Sequence, residues 1–278
     1  MKKIALFLAL ALSSMAVFAQ NLNRSELKQL QNFLAQPAEK HATNAEALKI
    51  TDVKTPASWE GVTITDGRVT AIDWKGKGLA GTLALSGPKC LAKVDVSRNR
   101  LTGIKLAGDA ALSELNASRN RLSEIDLDGC GQLVKVSLNN IRITEFTLQD
   151  VPFVKNINIA SNLLAALDLQ ASSTLETLNC QSNHLESLTV ADCTALKNLY
   201  CGYNKLTSLT LTGLTSLQNL NIDDNEIANL IVSGLPSLST FICSDNNMKS
   251  LGMRDCKNLI DLVCSYNDLT SLEVSQCP

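Results

Sequence analysis

Two neighbouring stretches decide the fold: LETLNCQSNHLESLTV at 175–190 and LKNLYCGYNKLTSLTL at 196–211. They start 21 residues apart and align position by position. The same spacing recurs over 91–278, giving nine repeats, the last one residue short. Internal repetition at a fixed period indicates a chain built from stacked copies of one structural unit. Each repeat opens on a leucine-like residue, taken as position 1: Leu91, Leu112, Leu133, Val154, Leu175, Leu196, Leu217, Leu238 and Leu259.

Five further columns of the repeat, at positions 4, 6, 11, 14 and 16, are apolar in all nine copies. Positions 4 and 6 lie two residues apart, so both point to one side of a strand. One repeat cannot bury this apolar face alone, but stacked repeats can, which predicts a solenoid with one parallel strand per repeat.

Position 9 is Asn in every repeat except the third, which has Ile141 there, with Asn140 beside it. We expect the Asn side chains to satisfy backbone groups that the turn after each strand leaves unpaired. The exception predicts a locally altered turn in the third repeat.

This pattern resembles the leucine-rich repeat, and the 21-residue length with Cys at some position 6 sites is similar to the internalin J type of bacterial repeat. The resemblance covers about two-thirds of the chain. It implies one parallel β-sheet on the concave face and few or no helices in the repeats. It also implies an exported bacterial protein that binds a partner, as in adhesion, although repeat scaffolds serve many functions.

The N-terminus predicts a cleaved signal peptide over 1–19. Lys2 and Lys3 precede an apolar run at 4–12, and small residues end at Ala19. The mature chain, 20–278, has no other apolar segment of the length that a membrane span needs. We therefore expect a periplasmic, secreted or cell-surface protein.

The segment 20–90 is predicted to form an α/β N-terminal cap, with helices followed by a β-hairpin. Ser25 is expected to cap the first helix, and the hairpin is expected to turn at Asp66-Gly67. The hairpin sequence resembles the N-terminal cap of plant-type leucine-rich repeats without its paired cysteines, so packing of Trp59 and Trp74 is expected to stabilise it. The ninth repeat appears in the sequence as incomplete and uncapped, which suggests self-association through that end.

Eight of the nine cysteines occupy two columns of the repeat. Position 6 holds Cys180, Cys201, Cys243 and Cys264, and position 19 holds Cys130, Cys193, Cys256 and Cys277. Because Ile and Leu fill the same columns in other repeats, the sequence predicts buried thiols rather than disulfides or a zinc site.

Composition argues against two functional classes. With 25 basic and 27 acidic residues, the net charge is −2, which does not favour binding to nucleic-acid phosphates. The chain has two His and none of the familiar hydrolase or metalloprotease motifs, so no enzymatic activity, cofactor or metal is predicted.

The residues that point outward from the strands are the predicted binding site. All three Tyr fall at positions 5 and 8, and exposed aromatics are typical of binding hot spots. The predicted partner-binding residues are Tyr200, Tyr203, Ile242, Val263 and Tyr266. The predicted charged rim, basic in early repeats and acidic in late ones, comprises Arg98, Arg100, Arg119, Arg121, Arg142, Asp224, Glu226, Asp245 and Asp268.

The sequence favours a non-enzymatic module for protein–protein interaction or adhesion through the concave face. Two alternatives remain open at this point: a structural or self-assembling envelope component, and a glycan-binding module.

Overall fold

A computed structural model describes residues 22–87, 90–147, 151–169 and 172–277. The predicted signal peptide, 1–19, lies outside the described residues. The chain divides into two compact units, Met1–Gly131 and Gln132–Pro278. Among the described residues, no helix is long and apolar enough to cross a membrane.

The first unit begins with two helices, α1 and α2, a short 3-10 helix, and an antiparallel strand pair, β1 and β2. Asn23, rather than the expected Ser25, caps α1: its Oδ1 accepts hydrogen bonds from the backbone N–H groups of Ser25 and Glu26. Asp66 and Gly67 both adopt left-handed φ angles between the two strands, as a tight hairpin requires. The element bounds are Arg24–Leu34 (α1), Asn44–Ala47 (α2), Pro56–Ser58 (3-10), Val62–Thr65 (β1) and Arg68–Asp73 (β2).

Aromatic packing fixes α1 against the hairpin. Trp74 is fully buried, and its ring stacks on that of Phe33 at a centroid distance of 5.6 Å. The carboxylate of Glu26 pairs with Arg68 and accepts a hydrogen bond from the backbone N–H of Val69. An aromatic stack and the ion pair of a buried carboxylate with a partly exposed arginine therefore stabilise this segment, and the sequence pattern identifies neither Phe33 nor Glu26.

Two sets of parallel strands complete the first unit. One set continues from β2 through β4 and β6, which occupy positions 3–5 of the first two repeats; the other set holds β3, β5 and β7. The bounds are Ala80–Ala84 (β3), Lys93–Asp95 (β4), Arg100–Lys105 (β5), Glu114–Asn116 (β6) and Glu124–Asp126 (β7).

The second unit carries one strand at positions 3–5 of each of its seven repeats. Paired strands are parallel and in register. Each residue lies opposite the residue 21 positions later in the sequence; Leu178, for example, lies opposite Leu199. The bounds are Lys135–Ser137 (β8), Asn156–Asn158 (β9), Thr177–Asn179 (β11), Asn198–Tyr200 (β13), Asn219–Asn221 (β14), Thr240–Ile242 (β16) and Asp261–Val263 (β18).

Two further sheets of short parallel strands, one of two strands and one of three, lie near positions 13–17 of several repeats. The sequence placed inward residues there but did not predict strands. The described part of the repeats contains no helix. Together with the parallel, in-register strands at positions 3–5, this confirms the predicted leucine-rich repeat solenoid. The bounds are Ala166–Asp168 (β10), Ser187–Thr189 (β12), Asn229–Ser233 (β15), Ser250–Arg254 (β17) and Ser271–Ser275 (β19).

The core follows the predicted columns. In the fifth repeat, Leu175, Leu178, Cys180 and Leu185 are fully buried. Each buried Leu contributes on the order of 2 kcal/mol of transfer free energy. An aliphatic core repeated at a fixed interval therefore stabilises a chain that has few aromatic residues.

The Asn at position 9 joins successive repeats, as expected. The amide nitrogen of Asn204 donates to the carbonyl oxygens of Cys180, Cys201 and Gly202 at 3.2, 3.0 and 3.1 Å. Its Oδ1 accepts from the backbone N–H of Leu185 at 3.0 Å. Each such side chain therefore satisfies backbone groups of its own repeat and of the preceding one.

The third repeat has the altered turn that its missing Asn predicts. Ile141 is buried, and its backbone N–H donates to Oδ1 of Asn162 from the following repeat. Arg142 adopts a φ of 67°, while no other described residue at position 10 has a positive φ.

The thiols at position 6 line the core. Cys180, Cys201 and Cys243 are fully buried free thiols, and Cys264 is half-buried. Burial raises the pKa of Cys201 and of Cys243 to about 12. The predicted burial is confirmed for Cys180, Cys201 and Cys243, which are poor nucleophiles at neutral pH, but it is only partial for Cys264 in the last repeat.

Candidate functional site

The outward side chains of the strands and of the turn that follows them form one surface in the second unit, here called the strand face. It comprises positions 3, 5, 7, 8 and 10. At position 5 the strands align, in register, the row Asn158, Asn179, Tyr200, Asn221, Ile242 and Val263. Three of these six residues are carboxamides that flank Tyr200, and the row becomes apolar towards the last repeats.

Tyr200 ends β13 and lies between two carboxamides. Its neighbours in the adjacent strands are Asn179 and Asn221, and all three side chains are half-buried. The oxygen atoms of both Asn side chains accept from the backbone N–H two residues on. These bonds orient the amides along the turn and hold them beside the phenol ring.

The turn after each strand has a conformation that the sequence did not reveal. Position 8 is left-handed in all nine repeats, with φ between 50° and 58°. Asn and Asp tolerate this region, but bulky residues in it are uncommon. Only three of the nine residues are Asn or Asp, so residue type gave a weak signal: Arg98, Arg119, Asn140, Ser161, Ser182, Tyr203, Asp224, Asp245 and Tyr266.

Two of these left-handed residues expose aromatic rings. Tyr203 is 51% exposed and Tyr266 is 80% exposed. The charge of Asp223 and a hydrogen bond from the phenol to that carboxylate raise the pKa of Tyr203, with smaller effects from Asp224 and Asp245. The phenol of Tyr203 therefore remains protonated at neutral pH within a negative environment.

The structure brings the predicted partner-binding residues into two groups rather than one stripe. Tyr200 and Tyr203 belong to the sixth repeat. Ile242 pairs in register with Val263, and Tyr266 follows in the same repeat as Val263. The polar seventh repeat, with Asn221, Asp223 and Asp224 on its outward side, separates the two groups.

The predicted basic rim is largely exposed. Arg98 and Arg119 in the first unit are exposed at left-handed positions. Arg100 differs from the expectation of a free rim charge, because it forms an ion pair with Glu39. Arg121 and, in the second unit, Arg142 are exposed.

The predicted acidic rim lies wholly in the second unit. Asp224, Glu226, Asp245 and Asp268 are exposed. None of them occurs in the ion pairs found among the described residues. This side of the strand face therefore carries uncompensated negative charge.

The acidic turn does not have the donor set of a metal site. Asn225 lies beside Asp224, but its Oδ1 accepts from the backbone N–H of Leu206 inside the coil. Within the described residues, no group of three or more His, Cys, Asp or Glu side chains is placed to hold a metal ion. Rings, amides, hydroxyls and carboxylates on this surface are suited to non-covalent recognition.

Comparison with known proteins identifies the fold. No protein-family model and no curated protein matches the sequence. The functional domain of InlJ from Listeria monocytogenes, described as including a cysteine ladder, matches with a TM-score of 0.59 and 21% identity over 78% of this chain and 53% of that chain. YopM from Yersinia enterocolitica matches with a TM-score of 0.54 and 22% identity over 72% of this chain and 51% of that one.

These matches establish likeness of fold alone. The present chain covers about half the length of each of the two bacterial neighbours. Toll-like receptor 13 in its complex with a single-stranded RNA also matches, with a TM-score of 0.54 and 19% identity over 67% of this chain and 33% of that one. The solenoid is therefore shared with proteins of quite different origin, and function has to be argued from the surface.

Proposed function

We propose that this chain is an exported, non-enzymatic module that binds a protein partner through the strand face, as an adhesion protein does. The observation that carries the proposal is the pair of exposed tyrosines, Tyr203 and Tyr266, in left-handed backbone conformations. Each such residue costs on the order of 1 kcal/mol of conformational strain. A residue that adds strain without packing in the core supports a role in recognition.

Tyr200 supplies the centre of the proposed surface. Its ring is half-buried among carboxamides at the end of β13, three residues before Tyr203. Aromatic rings with a polar end bind with little loss of side-chain entropy, and such residues dominate measured hot spots. The two rings of the sixth repeat are therefore the proposed anchor.

Export is part of the proposal and follows from the predicted signal peptide at 1–19. The free thiols of the core are compatible with an oxidising compartment, because full burial keeps Cys180, Cys201 and Cys243 away from external oxidants.

The test compares a double variant of the anchor with a matched control. Tyr200→Ala with Tyr203→Ala should change the free energy of unfolding by about 1 kcal/mol or less, because neither ring is buried in the core. Binding to a partner captured from candidate cell or matrix surfaces should weaken about thirtyfold, the equivalent of about 2 kcal/mol. Phe153→Ala removes an aromatic ring that is 48% exposed but lies outside positions 3–10 of the repeat, so it should bind as the parent does.

Glycan binding is a second candidate, favoured by the carboxamide row around Tyr200. A ring flanked by amides offers stacking and hydrogen bonds together, which suits a sugar. Binding of the parent to oligosaccharides on an array, lost in the same double variant, would favour this candidate.

Equal protein binding by the parent and the double variant would contradict the proposed anchor.

A further inference from the structure

Four position 8 residues of the last four repeats form a regular column, here called the acidic–aromatic column: Tyr203, Asp224, Asp245 and Tyr266. Backbone hydrogen bonds keep successive turns in register. The N–H of Tyr203 donates to the carbonyl of Asp223 at 2.7 Å, and the N–H of Asp224 donates to that of Ser244 at 3.0 Å. Neighbouring members therefore follow one another at about 4.8 Å, and the column extends for about 14 Å.

The column places two carboxylates between two aromatic rings. Asp224 and Asp245 are exposed neighbours of like charge, and no ion pair among the described residues involves either. Asp223 adds a third negative charge beside Tyr203. Like charges at this spacing repel one another in the free protein. A ligand that brings positive charge would relieve this repulsion.

The rings at either end of the column also suit a cation. Tyr203 and Tyr266 are both exposed and both held in a left-handed conformation. The face of an aromatic ring attracts the guanidinium of Arg or the ammonium of Lys. Aromatic rings and carboxylates therefore point to the same chemical class of ligand by two independent interactions.

We propose that the acidic–aromatic column binds an extended, arginine- or lysine-containing segment of a protein partner. Basic side chains of that segment pair with Asp224 and Asp245, and further ones contact the rings of Tyr203 and Tyr266. An extended segment advances about 3.3 Å per residue, so four to five residues cover the column. The inference rests on the proposed protein-binding function and specifies the charge of the partner.

A divalent cation fits this surface less well than a peptide. Calcium takes six to eight oxygen ligands, whereas the column supplies two carboxylates, and the amide oxygen of Asn225 is occupied within the coil. A basic segment needs only one carboxylate per cation and uses the rings as well.

The test uses the full mature chain and fluorescein-labelled hexapeptides in fluorescence anisotropy titrations. An arginine-rich peptide should bind at least tenfold more tightly than a glycine–serine peptide, and its affinity should fall as the salt concentration rises. A glutamate-rich peptide should not bind.

Matched variants separate the contributions of charge and ring. Asp224→Asn with Asp245→Asn keeps side-chain shape and tolerance of the left-handed region, and should weaken binding of the arginine-rich peptide about tenfold while reducing its salt dependence. Asp192→Asn is the control, because Asp192 is also exposed and left-handed (φ 61°) but lies at position 18, away from the column. The affinity of the Asp192→Asn variant for the arginine-rich peptide should stay within twofold of that of the parent. Tyr203→Asn with Tyr266→Asn should weaken binding severalfold and leave the salt dependence unchanged.

Three results would overturn the inference. The first is equal affinity for the arginine-rich and glycine–serine peptides. The second is an equal loss in the Asp192→Asn control. The third is calcium binding in place of peptide binding: calcium changes the tyrosine fluorescence of the parent but not of the double Asp variant, and the parent does not bind the arginine-rich peptide. If a captured partner depends on Tyr200 and Tyr203 but not on Asp224 and Asp245, the charge inference fails while the proposed function stands.

Discussion

The position 9 Asn of the sixth repeat offers a quantitative test of what stabilises the solenoid. In Asn204→Ala, the carbonyl of Cys180 keeps a donor in Asn183, and that of Cys201 keeps one in Asn225. The backbone N–H of Leu185, by contrast, loses the acceptor that Asn204 provides at 3.0 Å. The loss is therefore unequal: each of these carbonyl groups loses one of its hydrogen bonds but keeps another, whereas one buried N–H is left without a partner.

The structure sets the size of the effect. An unpaired buried N–H costs about 2 kcal/mol, and weakened hydrogen bonds to the remaining carbonyls add on the order of 1 kcal/mol. Asn204→Ala should therefore lower the free energy of unfolding by about 3 kcal/mol. For a chain of this size, that corresponds to a fall of about 6–12 °C in melting temperature.

Two measurements check this prediction. Urea titration gives the global change, and hydrogen exchange followed by mass spectrometry should show faster exchange in the peptide that contains Leu185. Asn247→Ala is the matched control, because Asn247 is exposed at position 10 and its removal should change stability by less than about 0.5 kcal/mol. A loss of less than 1 kcal/mol in Asn204→Ala, or unchanged exchange at Leu185, would refute the role assigned to the Asn ladder.

Three further predictions concern strain, pH and thiol reactivity. Tyr203→Asn should raise the melting temperature by a few degrees in differential scanning calorimetry, since Asn adopts the left-handed region at lower cost; a lower value would show that the ring stabilises the fold. Burial raises the pKa of Asp109 to about 7, so its neutral form stabilises the fold most fully below pH 4, and this contribution is lost as pH rises through 7. Relative to Asp109→Asn, the parent should therefore lose on the order of 3 kcal/mol between pH 4 and pH 8 in urea titrations; parallel pH profiles would contradict this. Cys201 should react with a thiol reagent far more slowly in the native protein than in urea, whereas the half-buried Cys277 should react readily in both; rapid native labelling of Cys201 would show that the core opens.

Regular features of the repeat could be predicted from the sequence because they rest on columns that recur every 21 residues. The strands at positions 3–5 follow from two inward residues separated by one outward residue. The Asn ladder follows because one amide type fills a turn position that leaves backbone groups unpaired. Even the irregular third turn could be located, since Ile141 breaks a column that is otherwise Asn.

Features that depend on long-range contact or on backbone conformation could not be predicted in this way. Phe33 stacks on Trp74 across 41 positions of sequence, and no periodic column links them. Ser25 is a reasonable N-cap by residue type, but α1 already begins at Arg24, so Asn23 immediately precedes the helix and its side chain reaches two N–H groups. The ion pair of Arg100 with Glu39 depends on how the segment before the repeats lies against them.

The left-handed turn at position 8 explains why outward residues alone were an incomplete guide to the candidate site. The sequence pattern treated Tyr200 and Tyr203 as equivalent exposed aromatics, whereas only Tyr203 is held where a bulky residue adds strain. The same turn aligns Tyr203 with Asp224, Asp245 and Tyr266, residues that the pattern divided between an aromatic stripe and a charged rim. Because these four residues share one backbone conformation and one column, their charge and their rings act on the same ligand. A partner of this surface is therefore expected to combine positive charge with groups that pack on aromatic rings, and arginine supplies both.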